Sequence, residues 1–99
     1  MAYRLTQDAE ADLDEIWLHI TAESSDPSIA QHLVESIADR FDTLSTHPRM
    51  GRARSNLRRG VRSHPVGNYL IFYRSMARDV LILRVLHSGR DIRALLRVP

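Results

Sequence analysis

Tyr69-Leu70-Ile71-Phe72-Tyr73-Arg74-Ser75-Met76-Ala77-Arg78-Asp79-Val80-Leu81-Ile82-Leu83-Arg84-Val85-Leu86 is the stretch that decides the fold. Its flanks, Tyr69 to Arg74 and Val80 to Leu86, are rich in aromatic, β-branched and aliphatic residues, the composition of strands. The polar break from Ser75 to Asp79 joins them as a hairpin. Side chains alternate along a strand. Leu70 and Phe72 therefore point one way, and Ile71, flanked by Tyr69 and Tyr73, points the other. By the same alternation Val80, Ile82 and Leu86 oppose Leu81, Leu83 and Val85. Both faces are apolar, as in a sheet covered on both sides.

Working outward, Val61 to His64 is a third strand, and Pro65 after it suits a sheet edge. The arginine-rich, glycine-flanked segment from Met50 to Gly60 reads as a loop. Upstream lie two amphipathic helices. The first starts at Gln7 with Thr6 as its cap and carries Ala9, Leu13, Ile16, Trp17 and Ile20 on one face, fading near Glu23-Ser24-Ser25. Asp26-Pro27 restarts the helix, a capping side chain followed by proline at the first helical position. Ala30, Leu33, Val34, Ile37, Ala38, Phe41 and Leu44 form the second apolar face, and His47-Pro48 ends it. Tyr3-Arg4-Leu5 alternates as a short N-terminal strand. The tail from Gly89 to Pro99, with Ile92, Leu95 and Leu96, suits a final helical turn.

The expected fold is α+β. An N-terminal strand precedes an antiparallel two-helix hairpin packed on one face of a mainly antiparallel, three- to four-stranded sheet, all in one domain spanning 1–99. One hairpin covers one face. The other face is closed by the loop and tail, or by another chain. Each large apolar side chain left wet forgoes roughly 1.5–3 kcal/mol, and from this we infer a partner protein.

Hydrophobic residues make up 43% of the chain and charged ones 26%, which excludes a disordered chain. There is no cysteine, so disulfides and thiolate metal sites are excluded. No apolar run approaches membrane-span length, and Met1-Ala2-Tyr3-Arg4 lacks the pattern of a signal peptide. The expectation is a cytoplasmic protein with no membrane contact. Charge is polarised along the sequence. Residues 1–42 hold ten acids and two arginines, a net of −8, whereas residues 43–99 hold twelve arginines and two acids, a net of +10. All basic residues other than histidine are arginine, and the basic part should attract an anionic surface.

The five histidines show no metal-binding spacing, and there is no glycine-rich phosphate loop, nucleophile elbow or Cys–His arrangement. No metal or cofactor is expected. Asp12, Asp14 and Glu15 read as solvated carboxylates on the polar side of the first helix. The cluster Arg49, Arg52, Arg54, Arg58, Arg59 and Arg62 suits phosphates or a carboxylate-rich surface. Trp17 reads as a core residue, with an interface anchor as the sharper alternative.

The opening Tyr3-Arg4-Leu5-Thr6, the helix from Ala9 to Trp17, His47-Pro48-Arg49-Met50-Gly51-Arg52, Val61-Arg62-Ser63, Tyr69 to Arg74, and the closing Arg84-Val85-Leu86-His87-Ser88-Gly89-Arg90-Asp91 together resemble the ParE branch of the RelE/ParE toxin superfamily. The resemblance covers almost the whole chain in order; where the family usually has proline after the capping threonine, this chain has Gln7. It implies a toxin that inhibits a type II topoisomerase, DNA gyrase, by binding. It also implies a ParD-like antitoxin that silences the toxin and carries the DNA contact. RelE-like relatives instead cut message on the ribosome, using basic residues that commonly include lysine and a tyrosine near the C-terminus. Here there is no lysine and the last tyrosine is Tyr73, within a strand, which favours the ParE reading. For the ribonuclease alternative the candidate set is Arg62, His64, Arg84 and His87. A non-toxic interaction module on the same fold is the third reading. Toxicity and target binding are expected from Arg84, His87, Arg90, Asp91 and Arg93. Antitoxin contact is expected from Trp17, Ile20, Leu33, Arg58 and Arg62.

Overall fold

The computed structural model describes residues 2–90 and residue 92. Strand β1 (Ala2–Leu5) leads into helix α1 (Gln7–Glu23) and helix α2 (Pro27–Thr46). Strands β2 (Arg52–Ala53), β3 (Val61–Val66), β4 (Tyr69–Ser75) and β5 (Asp79–His87) follow. The expected helix signals operate as read. The Thr6 hydroxyl accepts the Ala9 N–H at 3.0 Å, and Asp26 accepts the Ser28 N–H at 2.9 Å ahead of Pro27. Each satisfies an amide that a helix start otherwise leaves without a partner.

The strands form one sheet in the order β1-β5-β4-β3-β2. β1 runs parallel to β5 and the other pairs are antiparallel. The α+β class and the helical hairpin match the expectation, but the sheet has five strands rather than three or four. The additional strand is β2, two residues inside the segment read as loop, pairing Arg52 with Ser63 and Ala53 with Arg62. A two-residue strand has no periodicity to read. β3 also continues through Pro65, which stands opposite Leu70 on β4 and beyond the reach of β2. Its missing N–H faces an open edge there.

The helix-facing core joins Ala9, Ile16, Ile37, Phe41 and Leu44 to Val66, Tyr69, Ile71, Tyr73, Val80, Ile82 and Val85. Strict alternation assigns Val85 to the opposite face. A bulge overrides it: Tyr73 pairs with Ile82 but Phe72 with Arg84, so one extra residue enters β5. Beyond the bulge the faces exchange, and Leu86, not Val85, joins the outer cluster.

The outer face is closed at its centre by the chain itself. Val61, Phe72 and Leu86 are buried there, with Leu57, Leu70, Leu83 and Ile92 packed against them. The loop between β2 and β3 folds over the sheet through the Leu57 and Arg58 amides, which bond to the Arg54 carbonyl at 2.9 and 3.1 Å. The Arg54 guanidinium lies 5.8 Å from the Phe72 ring centroid and donates to Ser63 Oγ at 3.2 Å. This corrects the expectation that an uncovered sheet demands a second chain, because the arginine-rich loop supplies the cover.

A second anchor fixes the start of that loop. The Tyr73 hydroxyl, in a fully buried side chain, donates to the Pro48 carbonyl and accepts the Gly51 N–H, both at 2.8 Å. Arg62 donates to the Gly51 carbonyl at 2.8 Å. A methyl group on Gly51 would collide with the Tyr73 ring and hydroxyl and lie 2.9 Å from the Ser63 carbonyl, so only glycine allows this approach.

Candidate functional site

The most developed site lies where α1 crosses the end of β5. β1 ends at Leu5, opposite Ile82, and the chain turns into α1. From there α1 takes over as neighbour to the strand edge. The Thr6 amide and hydroxyl bond to the Ile82 and Leu83 carbonyls at 3.1 and 2.8 Å. Asp12 then accepts the Val85 N–H at 2.9 Å and a two-pronged contact from Arg84, Nε to Oδ2 at 2.8 Å and Nη2 to Oδ1 at 2.9 Å. Asp12 is only 5% exposed. The hydrogen bonds to Asp12 hold the Arg84 guanidinium above its already high ordinary pKa, against the opposing effect of its burial. The bulge makes this possible, because it displaces Arg84 at the point where β1 has left the edge open.

Beside this pair is a cleft of about 330 Å³ lined by Asp12, Glu15, Ile16, His19, Tyr69, Val85, His87 and Arg90. Its apolar part is Ile16, Val85 and Tyr69. His87 stacks edge-on against Tyr69 with ring centroids 5.4 Å apart, and its Nδ1 accepts the Gly89 N–H at 3.1 Å. A neutral His87 therefore carries its proton on Nε2. Arg90 is exposed, with Nη1 3.8 Å from Glu15 Oε1. His19 faces Glu23 at 3.4 Å. An apolar floor with two imidazoles, a guanidinium and two carboxylates around it suits an anchoring side chain of a protein.

Of the residues expected to carry toxicity, the structure brings His87 and Arg90 to this cleft and places Arg84 in contact with Asp12 beside it. Arg84 holds the fold together at this point, so its substitution tests stability before it tests function. Asp91 and Arg93 lie outside the described residues. The residues expected to meet an antitoxin are dispersed. Ile20 and Leu33 are half-buried against the helix-facing core, and Trp17 is half-buried. Arg58 is in the loop over the outer face, and Arg62 is tied to Gly51. The large apolar side chains exposed on the helices are Leu18, at 66%, and Ile29, at 51%.

The set named for the ribonuclease alternative is divided between β3 (Arg62, His64) and β5 (Arg84, His87), with β4 between them. Two strand spacings amount to about 10 Å. His64 faces α2, with Nε2 3.1 Å from Arg40 Nη1. Burial first, and the charge of Arg40 second, hold its pKa below the ordinary imidazole value. A base whose pKa falls on folding contributes stability that is present above its unfolded value, about 6.5, and lost as pH drops through the folded one. We expect the urea midpoint to fall between about pH 7.5 and 5, and to fall less in His64→Gln. An equal fall in both proteins would contradict this role of His64.

Sequence reasoning missed Asp12, taken as solvated. The signal was present: Asp12 lies three residues after Ala9 and four before Ile16, inside the apolar stripe, and Arg84 interrupts an otherwise aliphatic strand. It also missed the Tyr73 hydroxyl contacts, whose partners are 22 and 25 residues away.

The family described as "ParE toxin of type II toxin-antitoxin system, parDE" matches residues 3–92. Toxin ParE1 of Caulobacter vibrioides is 38% identical over 92 residues, covering 93% of this chain and 94% of that protein. Toxin ParE3 of the same organism is 34% identical, covering 90% and 88%. Toxin ParE1 of Mycobacterium tuberculosis is 31% identical, covering 91% and 92%. Among solved structures, a chain described as "Chromosomal ParDE TA system from P. aeruginosa" superposes with a TM-score of 0.76 at 26% identity, covering 88% of this chain and 95% of that one. With its family match, its relatives and its fold in agreement, the chain belongs to the ParE toxin family of type II toxin–antitoxin systems.

Proposed function

We propose that this ParE-family toxin acts in the cytoplasm by binding DNA gyrase and blocking its supercoiling cycle, and that a ParD-like antitoxin holds it silent. The observation that carries binding over cleavage is the position of Tyr73. Its hydroxyl is engaged on both sides by Pro48 and Gly51 in a fully buried side chain, and burial raises its pKa. Such a hydroxyl is a poor proton donor to a message. The cleft beside α1, with exposed Arg90 and His87 at its rim, is the proposed contact with the target. The helical hairpin, with Leu18, Ile29 and Trp17, is the proposed seat of the antitoxin. The solved ParDE relative supports a partner of that type.

The test uses the purified chain with gyrase and relaxed plasmid and, separately, with translating ribosomes. Supercoiling should stop while message stays intact, and the cognate antitoxin should restore supercoiling. Alanine at Arg90 together with alanine at Arg93 should weaken inhibition roughly tenfold or more, the scale of an interface hot spot. Undisturbed supercoiling with cut message would replace this reading with the ribonuclease.

A further inference from the structure

We propose that the arginine-bearing end of the outer sheet face is a second binding surface of this protein, and that its ligand is the phosphate backbone of duplex DNA.

Strand register builds the surface. Residues paired across a sheet share a face. Arg52 is in register with Ser63 and, through it, with Phe72. Arg74 is in register with Val61. Phe72 and Val61 belong to the outer cluster, so Arg52 and Arg74 project from the outer face. The loop brings Arg58 and Arg59 to the same end. Gly60, at φ +81, lies so close to the Arg74 guanidinium that a methyl there would stand 3.2 Å from Nη2. Arg78 is exposed in the turn that follows Arg74. Arg54, held on Phe72 and Ser63, sits among them with neutral partners only.

Charge identifies the ligand as an anion. Among the described residues, none of these six arginines has a carboxylate partner; the arginines that do are Arg4 with Asp79, Arg84 with Asp12 and Arg90 with Glu15. Most of the acids lie in the helical layer: of the ten acids up to Asp42, nine are in α1 or α2 and Asp26 caps α2, while Asp79, next to Arg78 at the start of β5, is paired with Arg4. Six like charges at one end repel one another until an anion joins them. Guanidinium groups grip phosphate oxygens two at a time. Arg52 and Arg74 stand two strands apart, about 10 Å, and that length of duplex presents about six negative charges.

Duplex DNA fits this surface better than an acidic protein segment. Protein interfaces centre on large apolar or aromatic anchors. Here the exposed residues between the arginines of the loop are Ala53, Ser55, Asn56 and Gly60, Leu57 is turned into the outer cluster, and the large apolar side chains exposed nearby are the flexible Met50 and Met76 rather than aromatic anchors. Leu18 and Ile29 are on the helices instead.

The experiment is fluorescence anisotropy of a labelled 20-base-pair duplex titrated with the full chain from about 50 to 200 mM salt. With five or so phosphates engaged, log affinity should fall against log salt with a slope of about −4 to −5, a loss of roughly 500-fold over that range. The variant R52A/R59A/R78A removes three exposed cations and should reduce the slope by about 2.7 at unchanged melting temperature. Arg40→Gln, which removes a cation from the helical layer, should leave the slope as it was. No binding at 50 mM salt, or a triple variant with the wild-type slope, overturns the proposal. So does a poly-glutamate peptide that binds more tightly than the duplex, since the face would then belong to an acidic protein. Supercoiling is scored separately: an unmodified chain that inhibits gyrase without binding the duplex removes this surface alone and leaves the proposed function standing.

Discussion

Asp12→Ala is expected to destabilise the protein by about 3–5 kcal/mol, the cost of breaking a buried ion pair from one side. Two groups lose their partner together. The Arg84 guanidinium loses both prongs of its contact, and the Val85 N–H, at an edge β1 no longer covers, loses its acceptor. For a domain of this size, 3 kcal/mol corresponds to a drop in melting temperature of roughly 12–24 °C. Asp12→Asn keeps an oxygen for the Val85 amide and should cost less. Urea unfolding followed by circular dichroism measures both. A loss below about 1 kcal/mol in the alanine variant, the range of an exposed pair, would mean that Asp12 is a solvated carboxylate after all.

Phe72→Ala should cost about 3–5 kcal/mol, the usual penalty for emptying an aromatic site in a packed core. The expectation rests on which side of the sheet Phe72 occupies. It is fully buried on the outer face, beneath Arg54 and beside Leu57, on the side of the sheet away from α1 and α2. The cavity would loosen the loop as well as the sheet, so faster proteolysis between Arg54 and Gly60 should accompany the lower urea midpoint. A cost near 1 kcal/mol with the loop still protected would show that the loop does not seal this face.

The sequence makes the helices, the β4–β5 hairpin and the order of the main elements legible because each is carried by a local periodicity or a capping residue. Thr6, Asp26-Pro27 and the aromatic alternation around Ile71 are signals of that kind. The bulge between Ile82 and Arg84 is not, because an extra residue in an aliphatic run changes no composition, yet it decides which face receives Val85. The outer face read as uncovered is covered, and for a related reason the sequence did not show it. An arginine-rich loop reads as solvent-facing, but Arg54 can cover Phe72 through its flat guanidinium, and Leu57 supplies the apolar contact. At the site, the charged residues after Arg84 stood out by type, whereas Glu15 and His19 reach the same cleft only through the crossing of α1 over β5, and Tyr69 through its pairing with His87 across β4 and β5.

The central claim, a toxin that works by binding a topoisomerase, is tested most directly inside cells. The chain is expressed from a controlled promoter, alone and then with a neighbouring gene for a ribbon–helix–helix protein, and plasmid topology and message length are read from the same culture. Growth should stop with the chain alone, plasmids should relax while transcripts keep their full length, and the second gene should reverse both arrest and relaxation. Arrest with normally supercoiled plasmids and shortened transcripts, or no arrest at all, would contradict it.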